Sequence, residues 1–170
     1  MERWQGKLAV VTGASGGIGA ACARALITAG LRVVGLARRE AKLHELKQSL
    51  PIALQPQFIP RRCDVSKEDQ VVDVINWTER MLGGADVLLN NAGITRQTEL
   101  VAAENTEKIR QGICPGAVNT NIFPQEIQFY VKDMARLQPE NIADAVLYAL
   151  RTPPHVQVHE ITLKPMGEIF

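Results

Sequence analysis

The chain has 170 residues, with 19 Lys+Arg against 18 Asp+Glu for a formal net charge of +1, and 46% of it is hydrophobic while 22% is charged. A chain of this length buries roughly 70% of its unfolded surface, so one domain spanning 1–170 holds a core without a disulfide or metal. The balanced charge and the absence of any long basic run exclude nucleic acid and membrane surfaces as expected partners and leave a small molecule as the expected ligand. Apolar runs then alternate with helical patterns, which is the signature of an α/β fold. Lys7 to Gly13 reads as a buried strand. Gly17 to Ala29 reads as a helix with Ile18, Ala21, Cys22, Ala25 and Leu26 on one face, stopped by Gly30. A second strand follows from Arg32 to Arg38, a charged helix from Glu40 to Leu50, and a third strand from Phe58 to Val65.

Ser66, with Glu68 and Asp69 behind it, is expected to cap a helix that runs to about Leu82 and ends at Gly83-Gly84. Ala85 to Asn90 is the next strand. From Ile94 to Gln111 the pattern is polar, with room for one short helix at Val101 to Ile109. Ile113 to Gly116 reads as a strand ending in a turn and Gln125 to Arg136 as a helix. Pro139 to Leu150 is a stronger helix opened by its proline, and Val158 to Leu163 is a last strand at or near a sheet edge. The cysteines, Cys22, Cys63 and Cys114, are odd in number and far apart, with no Cys-x-x-Cys and no histidine at ligand spacing. They predict reduced thiols in a cytoplasmic compartment and no metal site. No apolar run reaches the length of a membrane span. His44, His155 and His159 are isolated and read as surface or packing residues.

The strongest local signal is Thr12-Gly13-Ala14-Ser15-Gly16-Gly17-Ile18-Gly19, set between a buried strand and a helix. Gly13 suits a tight turn, Gly17 admits a pyrophosphate to the backbone, and Gly19 lets helix and strand approach closely. The helix start supplies N–H donors to phosphate, and Ser15 adds a hydroxyl. The second strand ends in Ala37-Arg38-Arg39 with no acidic residue before Glu40. A basic residue there accepts the extra phosphate of NADP, where an acidic one would bind the ribose of NAD, so NADP is the expected cofactor.

Together these residues resemble the classical short-chain dehydrogenase/reductase family, in particular its small cytosolic NADP-dependent carbonyl and alcohol dehydrogenases acting on steroids or isoprenoid alcohols such as farnesol. Thr12 to Gly19 resembles the family's glycine-rich loop, Asp64-Val65 its adenine-contacting dipeptide, and Asn90-Asn91-Ala92-Gly93 the motif that closes the fourth strand. Pro115-Gly116 with Val118 and Thr120 resembles the segment that meets the nicotinamide. The resemblance implies a Rossmann-like doubly wound parallel sheet. It also implies a nicotinamide dinucleotide bound by Gly13, Ala14, Ser15, Gly16, Gly17, Ile18, Arg38, Arg39, Asp64, Val65, Asn91, Ala92, Gly93, Pro115, Gly116, Val118 and Thr120. The implied substrate is a small lipophilic alcohol or carbonyl compound.

The departure lies between the last two motifs. In the family this interval holds a long helix, a strand ending in a catalytic Ser, and a second helix bearing Tyr-x-x-x-Lys, which takes about 60 residues or more at ordinary element lengths. Here only residues 94–114 are present, with no Ser and with Lys108 as their one lysine. Met134 follows Tyr130 by four residues and Thr152 follows Tyr148 by four, so neither tyrosine makes the motif. No catalytic residue is assigned. The reading is a truncated form with an internal deletion around 94–108, a sheet short of one central strand and two helices, a retained NADP site and no hydride-transfer activity. The family's helix-mediated dimer interface is expected to be lost and apolar surface exposed. The alternative is a non-catalytic NADP-binding or interaction module.

Overall fold

Leu8–Thr12 is five consecutive buried residues, a pattern that fits only a strand covered on both faces. The computed structural model describes residues 1–93, 112–122 and 134–167. In it Leu8–Thr12 (β1) is central to a four-stranded parallel sheet with Arg32–Ala37 (β2), Phe58–Arg62 (β3) and Val87–Leu89 (β4), in the order β3-β2-β1-β4. Val10 stands opposite Val34 on one side and Leu88 on the other. Because side chains alternate along a strand, Ala9, Val11 and Val33 point into one core with Gly17–Thr28 (α1), Glu40–Ser49 (α2) and Pro139–Arg151 (α4). Leu8, Val10, Val34 and Leu36 point the other way, onto Glu68–Leu82 (α3). The sheet is thus wound on both faces.

Each helix stops where the sequence removes the means to continue. α1 ends at Ala29 before Gly30, whose φ of +96° only glycine adopts readily. α3 ends at Gly83 in the left-handed region. α4 opens with a reciprocal pair in which the Gln138 amide donates to Asn141 Oδ1 at 2.8 Å and the Asn141 amide to the Gln138 carbonyl at 3.0 Å. At the bottom of the sheet Asp86 joins β1 to β4. Its Oδ2 accepts the Leu8 amide at 2.9 Å, its own amide donates to the Leu8 carbonyl at 2.8 Å, and Lys7 lies 3.0 Å from Oδ1. The Leu8 amide and Lys7 hold that carboxyl below the usual carboxylate range.

Several expectations need correction. Ser66 does not cap α3; the cap position is Lys67, without a side-chain bond, and Ser66 turns back onto Asp64. The third strand stops at Arg62 rather than Val65, because after the Cys63 amide reaches the Ala37 carbonyl the chain turns around the Asp64 carboxylate. Met134–Arg136 is not helical. The rest of the expected helix from Gln125, and the one at 101–109, lie outside the described residues. The last strand is Glu160–Leu163 (β6), paired in parallel with Gly112–Pro115 (β5).

β5 and β6 form a sheet of their own. Among the described residues no strand joins β4 to β5, so the four-stranded sheet does not close onto the pair. β4 hydrogen-bonds along one side only, and Leu88 is 61% exposed. This is the edge expected of a sheet from which a central strand is missing. No helix of the described residues is long and apolar enough to cross a membrane.

Candidate functional site

The turn after β1 brings three glycines against other parts of the chain. Gly13 has φ +69°, and a Cβ there would stand 2.8 Å from Asn91 Nδ2 and 2.9 Å from Ala92 Cα. A Cβ at Gly19 would stand 2.5 Å from both Asn91 Nδ2 and the Gly13 carbonyl oxygen. At Gly17, φ +52°, it would lie 3.0 Å from Thr120 Cγ2. Glycine is therefore required where the turn meets the Asn91–Gly93 segment from one side and the Asn119–Asn121 loop from the other. The motifs separated in sequence converge here.

Thr12 ties the first of these contacts. Its Oγ1 accepts the amides of Asn91 and Ala92, each at 2.9 Å, and the Asn91 side chain donates to the Thr12 carbonyl at 2.9 Å. The sequence reading treats Thr12 only as the start of the turn, yet it is a buried polar residue that sets the position of the closing motif. Only its place at the end of a buried strand hinted at this.

α1 begins on Gly16 without a side-chain cap. Its first helical bond is from the Ala20 amide to the Gly16 carbonyl, and among the described residues the Gly17, Ile18 and Gly19 amides have no acceptor. Three unpaired N–H groups at the positive end of a 12-residue helix favour an anion. Arg39 adds charge to the same place. It lies two residues past β2, at the cap position of α2, and its Nη2 donates to Ser15 Oγ at 3.2 Å and lies 3.9 Å from a Cβ built at Gly16.

Arg38 faces the other strand end. Its charge, with that of Lys67, adds to two hydrogen bonds from Ser66, through Oγ at 2.8 Å and the amide at 3.1 Å, that hold the Asp64 carboxyl below its ordinary range. The two arginines thus flank the ends of β2 and β3, one toward the glycine turn and one toward Asp64-Val65. Val65 is 45% exposed.

The remaining predicted residues come from beyond the gap. The Gly116 amide donates to the Leu163 carbonyl at 2.7 Å, which fixes Pro115-Gly116 at the end of the β5–β6 pair. Val118 is buried and bridged to Leu137, and its carbonyl accepts the Thr120 amide at 2.8 Å. Thr120 stands at Gly17. A cleft of about 470 Å³ runs beside the turn, lined by Ser15, Gly16, Gly17, Arg24, Thr120 and Glu140 among others. Ile18, Gly19, Arg38, Arg39, Asp64 and Asn91 do not line it, so it meets the site only at Ser15–Gly17 and Thr120. Backbone amides without an acceptor among the described residues, a cation after the second strand and positions with no space for a Cβ fit a dinucleotide with an anionic centre.

Among the described residues no serine or tyrosine stands beside the Asn91–Gly93 and Pro115–Thr120 segments to transfer a proton. Tyr148 lies on α4 with 61% exposure, and the chain's three serines are Ser15, Ser49 and Ser66, all before Asn90. Tyr130 lies outside the described residues.

The family model for short chain dehydrogenase matches residues 7–123. The chain is 36% identical to farnesol dehydrogenase of Aedes aegypti, over an alignment covering all of both chains. It is 29% identical to dehydrogenase/reductase SDR family member 11 of Bos taurus, with 99% of this chain and 100% of that one covered. The first alignment spans 247 positions against 170 residues here, a difference of 77 positions that hold no residue of this chain. An alcohol dehydrogenase from Thermococcus sibiricus, solved with 5-hydroxy-NADP, shares the fold with a TM-score of 0.72 at 24% identity, covering 95% of this chain and 97% of that one. By these matches, and by the Asn91–Gly93 and Asn119–Asn121 segments that meet the glycine turn, the chain belongs to the short chain dehydrogenase family.

Proposed function

We propose that this chain is an NADP(H)-binding short chain dehydrogenase that keeps the nucleotide site and lacks the proton-transfer apparatus, so that it binds cofactor without turning over substrate. The observation that carries the reading is that the Gly17, Ile18 and Gly19 amides, beside the Arg39–Ser15 pair, have no acceptor among the described residues. The amides hold the pyrophosphate, and Arg39 with Ser15 receives the 2′-phosphate. Arg38, Asp64 and Val65 border the adenine, while Asn91, Ala92, Gly93, Pro115, Gly116, Val118 and Thr120 line the path to the nicotinamide. The bound dinucleotide supplies hydride chemistry at its nicotinamide ring.

The missing partner is an acid at the substrate oxygen. General acid catalysis is worth about 10²- to 10⁴-fold, and residues 94–114 hold neither a serine nor Tyr-x-x-x-Lys. The 77 alignment positions without a residue here support a single domain, 1–170, with an internal deletion around 94–108. The small lipophilic alcohols and carbonyls handled by full-length relatives of the farnesol dehydrogenase type define the class this chain would meet in the cytoplasm. Thermal shift tests the site: saturating NADPH raises the melting midpoint more than NADH does, and equal or absent shifts contradict the assignment.

A further inference from the structure

We propose that Arg3 and Trp4, at the very start of the chain, position the Ala117–Thr120 arm of the dinucleotide site by clamping the far end of α4. The inference rests on the dinucleotide reading for its ligand, while its mechanics are visible in the protein alone. The arm cannot take its position from the main sheet, because among the described residues β5 is hydrogen-bonded only to β6. It is held instead by Leu137 and Gln138, the two residues that lead into α4. The Leu137 amide donates to the Ala117 carbonyl and the Asn119 amide to the Leu137 carbonyl, both at 2.8 Å, and Asn119 Nδ2 reaches Gln138 Oε1 at 3.3 Å. One residue on, Thr120 stands against Gly17.

α4 rests on α1 through Ala143, Val146 and Leu147. That contact is apolar and built partly from alanines, so it gives adhesion without direction and leaves rotation and sliding weakly opposed. Direction comes from the opposite end of the helix. Arg3 Nη2 donates to the Leu150 carbonyl at 2.8 Å and also to the Thr152 carbonyl, and Trp4 Nε1 donates to the Leu150 carbonyl at 2.6 Å. These carbonyls belong to the last turn and the residue after it, where a helix leaves acceptors unpaired and where a cation meets the negative end of its dipole.

The clamp is itself fixed. Trp4 packs against the main core, Arg3 lies 5.2 Å from the Trp4 ring centre, and two residues later the Gly6 amide bonds the Gly30 carbonyl at 2.9 Å. A helix of 13 residues, about 20 Å long, turns a small tilt at Leu150 into a displacement at Gln138 and so at Thr120.

The test compares wild type with Trp4→Phe, which keeps the ring packing and removes the donor, and with Arg3→Ala combined with Trp4→Phe. Dissociation constants are measured for NADPH and for adenosine 2′,5′-bisphosphate, which lacks the nicotinamide half. The double variant is expected to bind NADPH about 3- to 10-fold more weakly, the loss of one or two hydrogen bonds, and the bisphosphate within about twofold of wild type. Equal weakening of both ligands, or of neither, overturns the proposal. Hydrogen exchange without ligand gives the second readout. The Asn119 and Leu137 amides are expected to exchange faster in the double variant while the Val10 and Val34 amides keep their protection; unchanged exchange at Asn119 and Leu137, or acceleration throughout, overturns it. Should wild type fail to bind the bisphosphate, the dinucleotide reading falls and the exchange comparison still decides the clamp.

Discussion

Asn91 donates twice to Thr12: its amide to Thr12 Oγ1 and its side chain to the Thr12 carbonyl, both at 2.9 Å. This pairing joins the end of β1 to the segment after β4, and it puts Asn91 Nδ2 where Gly13 and Gly19 must lack a Cβ. The glycine turn and the Asn91–Gly93 motif are therefore one unit.

Thr12→Val keeps the shape and removes the hydroxyl, leaving the Asn91 and Ala92 amides without their acceptor. Each unsatisfied group costs about 1–3 kcal/mol, so urea unfolding is expected to show a loss of about 2–4 kcal/mol. A loss under about 0.5 kcal/mol would mean that water replaces the hydroxyl at no cost.

Gly19→Ala places a methyl 2.5 Å from the Gly13 carbonyl oxygen, a backbone atom that cannot swing aside. The turn must open, so NADPH affinity is expected to fall by about tenfold or more along with stability. Gly83→Ala is the control. Its φ of 85° makes alanine strained there although nothing lies near the added carbon and the turn is far away in sequence, whereas Gly19 has no positive φ and suffers by contact alone. Calorimetric titration of both variants should show the affinity loss only for Gly19→Ala.

Arg39→Ala removes the cation that bonds Ser15. The expected result is NADPH binding weakened about 10- to 100-fold with NADH binding nearly unchanged, because a charge-assisted phosphate contact is lost and NADH has no 2′-phosphate. An unchanged ratio of the two constants would remove Arg39 from the site.

Cys22 lies in the core of α1, and burial pushes its thiol from 9.0 up to about 12. The unfolded thiol ionises first as pH rises, so the stabilisation is complete below pH 9, declines above it, and is lost on passing about 12. Cys22→Ala removes this dependence, which is worth up to about 4 kcal/mol at the alkaline end. Denaturation curves for the two proteins should converge from neutral pH toward pH 11.

Leu88 on β4 and Ile75 on α3 are 61% and 57% exposed, and β4 is a strand edge among the described residues. Leu88→Lys charges that edge without touching the core. It is expected to change stability by less than about 0.5 kcal/mol and to lower self-association in light scattering, the usual effect of lysine on an open edge.

Much of this was legible in the sequence. The apolar run Leu8–Val11 before Thr12, the glycines after it and the stop at Gly30 each follow from local chemistry. What was not legible depends on distant partners. Ser66 looks like a helix cap until the Asp64 carboxylate is seen to take its hydroxyl. The bridge between Val118 and Leu137 has no local signal in the sequence. Arg3 and Trp4 form no motif, because their acceptors are carbonyls 146 or more residues away. The separation of β5–β6 from the main sheet follows from a missing neighbour, which spacing announces but whose structural outcome, a closed sheet or an open edge, it leaves undecided.

The central claim, a retained cofactor site without its chemistry, is tested most directly by following NADPH fluorescence as the dinucleotide is added to the protein with a panel of aldehydes and ketones. The account predicts a saturable change on binding followed by a steady signal. Decay corresponding to about 1 s⁻¹ per chain, an ordinary enzyme rate, would contradict the loss of activity, and no saturable change at all would contradict the site.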